Sequence, residues 1–189
     1  MVSQKKLCFV ALLPPEAVQA KANAIKDHFA AVYESSHAKK SPPHITLQPP
    51  FKWESEQLPD LKTTLGQFAQ RQRPVPVHLS GFGAFPPRVI YIHVEKTPEL
   101  LTIQQSLMGD LKDQLGLVDP VAQSRPFVPH LTVAFRDLSK SNFRQAWKVY
   151  QDQPFDYQFT VQALTLLLHN GKHWEIEDSF ALAEGSLND

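Results

Sequence analysis

The pentapeptide Pro43-His44-Ile45-Thr46-Leu47 recurs in the second half of the chain as Pro129-His130-Leu131-Thr132-Val133. Composition alone gives about 0.3 His-x-Thr matches by chance, so the shared proline and the interleaved apolar residues are what make the pair informative. Side chains alternate faces along a strand. His44 and Thr46 therefore share one face and Ile45 and Leu47 the other; His130 and Thr132 oppose Leu131 and Val133 in the same way. Each strand buries an apolar face and presents an imidazole beside a hydroxyl on the opposite one. Two related lobes packed about a pseudo-twofold axis bring both polar faces into one groove.

The rest of the chain supplies strands and helices for such lobes. Leu7–Leu13 is a continuous apolar run, the pattern of a buried strand. Pro14-Pro15-Glu16 opens a helix whose stripe is Val18, Ala22, Ile25, Phe29 and Val32. The first motif strand is expected to close at Pro49-Pro50. Leu58, Leu61, Leu65 and Phe68 mark a second helix. Val75–Ser80 and Val89–Val94 read as strands joined by a turn-rich Gly81–Pro87 segment. Pro98–Leu115 is a third helix, stopped by Gly116. Phe127–Phe135 is the second motif strand, and Phe143–Tyr150 a short helix. A hairpin then runs through Tyr157–His169, a two-residue Asn170-Gly171 turn, and Lys172–Leu182. No low-complexity linker divides the chain, and the repeat suggests two related lobes rather than a simple sandwich, within a single domain over residues 1–189.

Composition narrows the function classes. The 189 residues carry 19 Lys+Arg and 19 Asp+Glu, a net charge of zero. That argues against a basic tail or a polyacidic chain. Locally the balance breaks. Ala38–Trp53 holds three basic residues and no carboxylate, and Val121–Arg136 holds two arginines and no carboxylate. The single cysteine, Cys8, cannot form an intramolecular disulfide and sits among apolar residues, which fits a buried, inert thiol in a reducing, cytoplasmic setting. No apolar run reaches the roughly 18–20 residues of a membrane span, and the N-terminal run reads as a first strand rather than a signal peptide.

Two histidines flanking a substrate suit phosphodiester chemistry. A neutral imidazole takes a proton from the attacking hydroxyl or water, and a protonated one gives a proton to the departing oxygen. Imidazole serves either part near neutral pH because its ordinary pKa is about 6.5. Thr46 and Thr132 are placed to donate to the non-bridging phosphate oxygens, where charge builds in the transition state. Such a scheme needs no metal or other cofactor. His44 and His130 are the candidate catalytic pair, and their near-symmetry leaves acid and base unassigned.

The paired motifs His44-Ile45-Thr46-Leu47 and His130-Leu131-Thr132-Val133 resemble the two H-x-T-x signatures of the 2H phosphoesterase superfamily. That superfamily includes bacterial proteins called 2′-5′ RNA ligases and RNA 2′,3′-cyclic phosphodiesterases. The similarity extends over the first strand and helix, both motifs, and Gly81–Phe85 with Arg88–Tyr91 between them. It implies an α+β fold of two intertwined lobes in a bilobal pseudo-twofold arrangement, with antiparallel sheets lining a central cleft and helices outside, and it implies that His44, Thr46, His130 and Thr132 line that cleft. It also implies an RNA end or small cyclic nucleotide as substrate, with 2′,3′-cyclic phosphate hydrolysis and 2′-5′ ligation as candidate activities; no membrane segment and no obligate protein partner is evident in the sequence. Several relatives carry a basic residue five positions after the second motif histidine. Here that position is Phe135, and Arg136 follows; strand parity puts Arg136 on the face of His130, as a phosphate contact, and turns Phe135 away.

Phe51, Phe127 and Tyr91 are candidates for stacking on a base, with Trp53 and Phe85 alongside them, although aromatic residues beside such a motif are more often core. Lys39, Lys40, Lys52 and Arg125 are further cations near the motifs. In a two-residue hairpin loop His169 pairs with Lys172 and Leu168 with His173, so the two histidines face apart and share no metal. His28 and His37 read as surface positions, and His78 and His93 as ordinary strand histidines. No phosphate-cradling glycine loop or nucleotidyl-transferring lysine motif is present, which disfavours an ATP-driven ligase. The competing reading is a module that binds RNA or a nucleotide in the same groove without turnover.

Overall fold

The computed structural model describes residues 4–119 and 125–183. Strand β1 (Lys5–Leu12) leads into helix α1 (Glu16–Tyr33), a short 3-10 turn at His37–Lys40, and strand β2 (Ile45–Glu54). Helix α2 (Leu58–Ala69), strands β3 (Val75–Phe85) and β4 (Val89–Val94), and helix α3 (Pro98–Leu115) follow. The chain continues through β5 (His130–Ala134), α4 (Lys140–Tyr150), β6 (Asp156–Val161), β7 (Ala163–His169) and β8 (Trp174–Ala181).

The strands form two antiparallel sheets of four, in the orders β2-β1-β7-β8 and β5-β4-β3-β6. Each motif thus lies on an edge strand, one per sheet. The arrangement is the expected α+β one. The four helices and two sheets of the described residues share one apolar core, in which Val10, Leu47, Leu65, Ile92, Leu107, Leu131 and Ala146 all take part. Ile45 and Leu131 are wholly buried, as is Val133, while Leu47 keeps 1% of its surface exposed. The motif strands are therefore anchored by their apolar faces, and Leu→Ala at such a site typically costs about 2–5 kcal/mol.

The unbroken apolar run of β1 has a simple cause. Cys8, Val10 and Leu12 enter the main core, whereas Phe9 and Ala11 join Leu167 in a second cluster on the other face, against Leu13 and Trp174. Both faces of β1 are covered, so no polar alternation is required.

Several local expectations need correction. Strand β2 does not close at Pro49-Pro50 but runs through it to Glu54. Proline is tolerated there because β2 is an edge strand and its pairing with β1 is irregular between Cys8 and Ala11. The Gly81–Phe85 stretch is not a connection. It completes β3 after a register shift between Leu79 and Phe82, where Gly81 adopts φ +69°.

The expected strand Tyr157–His169 is two strands in different sheets, because β6 pairs with β3 and β7 with β1. The Asn170-Gly171 loop is longer than two residues, since His169 pairs with Trp174 and Leu168 with Glu175. Asn170 closes it by accepting from the backbone of Lys172 and His173 through Oδ1, at 2.9 and 2.8 Å. On α1, Val32 is exposed and Lys26 takes the buried position between Ala22 and Phe29. No helix among the described residues is long and apolar enough to cross a membrane.

Candidate active site

His44 immediately precedes β2 and His130 opens β5. Each ring is fixed the same way. His44 Nδ1 lies 2.7 Å from the carbonyl of Pro42, and His130 Nδ1 lies 2.7 Å from the carbonyl of Val128. A carbonyl oxygen only accepts, so Nδ1 carries the hydrogen in both rings, and Nε2 is the atom left to gain or lose a proton. The local repeat in sequence is thus a repeat in chemistry: the residue two before each histidine sets its tautomer.

Aromatic neighbours complete the seating. The Phe9 ring lies 4.6 Å from that of His44, and the rings of Phe85 and Tyr91 lie 5.1 and 5.2 Å from that of His130. Burial pushes the His44 pKa down to about 4, helped by the nearby charges of Lys26 and His130 and opposed by the Pro42 carbonyl. Burial also lowers the His130 pKa, against the Val128 carbonyl. Both imidazoles are neutral in the empty cleft at pH 7, and His130 is the less strongly depressed. A bound phosphate anion raises both.

The two histidines open into one cleft of about 600 Å³, a size suited to a nucleotide. Thr46 and Thr132 line it beside them. Both are half-buried, whereas their strand neighbours Ile45 and Leu131 are in the core. Arg136 also lines the cleft, but not by strand parity. Strand β5 ends at Ala134, and Arg136 sits in a left-handed turn at φ +63°. That turn brings Phe135 to the cleft as well, against the parity expectation.

The stacking candidates fare differently. Phe51 keeps 8% of its surface exposed and belongs to the core, opposite Cys8, so it does not reach the cleft. Phe127 packs on the same core and is not among the cleft residues. Tyr91 keeps 7% exposed and backs His130 rather than facing the open space. Trp53 is half-buried and donates from Nε1 to the Gln57 carbonyl at 2.9 Å. The aromatic walls are instead Phe9, Phe85, Phe135 and Trp174.

Sequence reading missed four basic contributors, His37, His169 and Lys172 at the cleft and Lys26 behind it. His37 lines the cleft although it reads as a surface position, and His169 lines it from the β7 end. Neither carries a local signal, because tertiary folding alone brings them there. Lys26 did carry one: it falls at helical spacing between Ala22 and Phe29 on the apolar stripe, the mark of a buried charge. His78 lies elsewhere, between Glu95 and Asp156 at 3.1 Å from each. Among the described residues no group of three or more His, Cys, Asp or Glu side chains is placed to hold a metal ion. The Val121–Ser124 part of the carboxylate-free segment falls outside the described residues.

Comparison with known proteins places this arrangement. The model of the 2′-5′ RNA ligase superfamily matches residues 14–173. A protein of Bacillus cereus (strain G9842), named as a candidate phosphoesterase, is 30% identical over 181 residues, covering 94% of this chain and 97% of its own. A similarly named protein of Bacillus cytotoxicus is 30% identical over 180 residues, with the same coverage. Among solved structures, a Thermus thermophilus protein superposes with a TM-score of 0.69 at 21% identity, covering 95% of this chain and 99% of that one. Escherichia coli LigT, solved with 3′-AMP, superposes with a TM-score of 0.63 at 20% identity over 95% of this chain and 99% of LigT.

Proposed function

Because the chain belongs to the 2′-5′ RNA ligase superfamily, we propose that it is a metal-independent phosphoesterase that opens 2′,3′-cyclic phosphate ends of RNA or small cyclic nucleotides. The observation that carries this reading is the matched fixing of His44 and His130, each through Nδ1, on two edge strands that share one cleft.

In the proposed reaction one imidazole takes a proton at Nε2 from water as the water oxygen attacks phosphorus. The bond from phosphorus to one ribose oxygen breaks, and the other imidazolium protonates that oxygen. The product is a ribose phosphomonoester beside a free hydroxyl. The two imidazoles have then exchanged protonation states, and solvent returns the proton. Thr46 and Thr132 hydroxyls donate to the non-bridging oxygens, a contribution of about 2.7–4 kcal/mol per well-placed donor. Attack by the 5′-hydroxyl of a second strand in place of water, with the bond from phosphorus to the 3′ oxygen breaking and that oxygen taking the proton, leaves a 2′-5′ linkage, so 2′-5′ ligation is the same ring opening with a different nucleophile. That LigT, a protein of this fold, is solved in complex with 3′-AMP supports a nucleotide-sized ligand. The buried thiol of Cys8 suits a reducing cytoplasmic setting.

The reading is tested with an oligonucleotide ending in a 2′,3′-cyclic phosphate, assayed in EDTA. Conversion to a single phosphomonoester is expected. Tight binding without conversion, across a panel of cyclic and linear phosphodiesters, would leave a binding module instead.

A further inference from the structure

Three full cations line the cleft besides its imidazoles: Lys40, Arg136 and Lys172. Among the described residues none of the three is in a salt bridge and no Asp or Glu lines the cleft. A phosphodiester bears one negative charge, which one imidazolium and the two threonine hydroxyls already match. The cleft is therefore built for more negative charge than the scissile group brings.

The surplus is organised on one wall. Arg136 Nη1 lies 3.4 Å from His37 Nε2. Arginine only donates, so His37 presents a lone pair there and is neutral in the empty site. Burial and the charges of Arg136 and Lys40 hold its pKa down, with His169 adding to them and Asp137 opposing. Phe135 floors the pair, with the Arg136 guanidinium 5.5 Å and the His37 ring 4.9 Å from its centroid.

Asp137, next to Arg136 in sequence but outside the cleft lining, is already occupied. It accepts from Ser35 Oγ at 2.8 Å and from the backbone N–H groups of Ser36 and His37 at 2.9 and 2.8 Å. It thereby ties the 3-10 turn carrying His37 and Lys40 to the left-handed turn carrying Arg136. A left-handed non-glycine residue is strained, and such strain persists only where its surroundings enforce it.

We propose that His37, Lys40 and Arg136 form a second anion subsite that takes a further phosphate of the substrate, as carried by a nucleotide phosphorylated on the 5′ side of its cyclic phosphate. The proposal rests on the cleft being a phosphodiester site. It selects an RNA end, or a 5′-phosphorylated cyclic nucleotide, over a bare cyclic nucleoside phosphate.

The test compares adenosine 2′,3′-cyclic phosphate bearing a 5′-hydroxyl or a 5′-phosphate, in the wild type and in the Lys40→Met/Arg136→Met double variant. The wild type should favour the 5′-phosphorylated substrate by about tenfold or more in kcat/KM, mainly through KM. That ratio should fall toward one in the double variant. A wild-type ratio near one overturns the subsite. If the wild type converts neither compound, the phosphoesterase reading fails by itself, and calorimetry decides the subsite. Adenosine 3′,5′-bisphosphate should then bind about tenfold tighter than adenosine 3′-monophosphate, with the advantage lost in the double variant. Equal affinities overturn it.

Discussion

Lys26 keeps 2% of its surface exposed and donates from Nζ to the carbonyl of Ser41 at 2.9 Å. Ser41 precedes Pro42, whose own carbonyl fixes the His44 ring at 2.7 Å. A buried cation thus stands directly behind the first motif, and burial lowers its own pKa to about 8. It reaches His44 in two ways, by holding the loop that sets the tautomer and by repelling a proton on the imidazole.

The first consequence is a pH profile. One imidazole must be neutral and the other protonated, so kcat/KM should be bell-shaped, with both limbs displaced to the acid side of 6.5 by the lowered His44 and His130 values. The reverse arrangement of the proton titrates identically, so the limbs belong to the pair. Lys26→Met removes the cation and should move the acid limb to higher pH. An acid limb at the wild-type position in a folded variant would show that His44 does not feel the charge.

Stability should follow the same groups. The His44 pKa is about 4 in the folded chain and 6.5 for the ordinary residue, so the unfolded chain binds more protons between those values. Stability is then fully present above 6.5 and is lost as pH falls toward 4, by up to about 3 kcal/mol from this group. His130 adds in the same direction. His44→Gln should flatten the slope of urea-unfolding free energy against pH in that window. An unchanged slope would remove His44 as its source.

Thr46 and Thr132 are half-buried on the cleft side of well-anchored strands. Thr→Val at either keeps the β-branched shape and removes the hydroxyl. A loss of about 10²–10³ in kcat is expected, with a melting temperature within a few degrees of the wild type and partial rescue by Thr→Ser. Equal loss in kcat and in thermal stability would mean a structural role alone.

Gly83 pairs directly with Tyr91 across β3 and β4, and a Cβ at Gly83 would run into the Tyr91 ring. That ring lies 5.2 Å from His130, so a displaced tyrosine presses on the imidazole. Gly83→Ala should lower kcat by about 10- to 100-fold, and Tyr91→Leu added to it should restore part of the loss. No recovery in the double variant would disconnect the glycine from His130.

Much of this was legible before folding. The alternation around both His-x-Thr pairs reports which residues are core and which face the cleft, because strand periodicity is a local property. Gly116 at φ +65° behaves as the helix stop its position suggests. Arg136 and Phe135 mark where parity stops working, since the strand ends one residue before them. The break at Gln162 between β6 and β7 was invisible, because both segments are strands and only their partners differ. His37 and His169 were invisible for a related reason: neighbours distant in sequence put them in the cleft. Phe51 takes the commoner place of an aromatic beside a motif, the core, because β2 runs on past Pro50 and carries it there.

The most direct measurement is single-turnover cleavage of a 2′,3′-cyclic phosphate oligonucleotide in EDTA by His44→Ala, His130→Ala and the double variant. Two imidazoles acting on one phosphodiester should each cost at least about 10³-fold when removed, and the double variant should cost little more than either alone. Undiminished turnover in both single variants, or losses that simply multiply, would contradict a shared site.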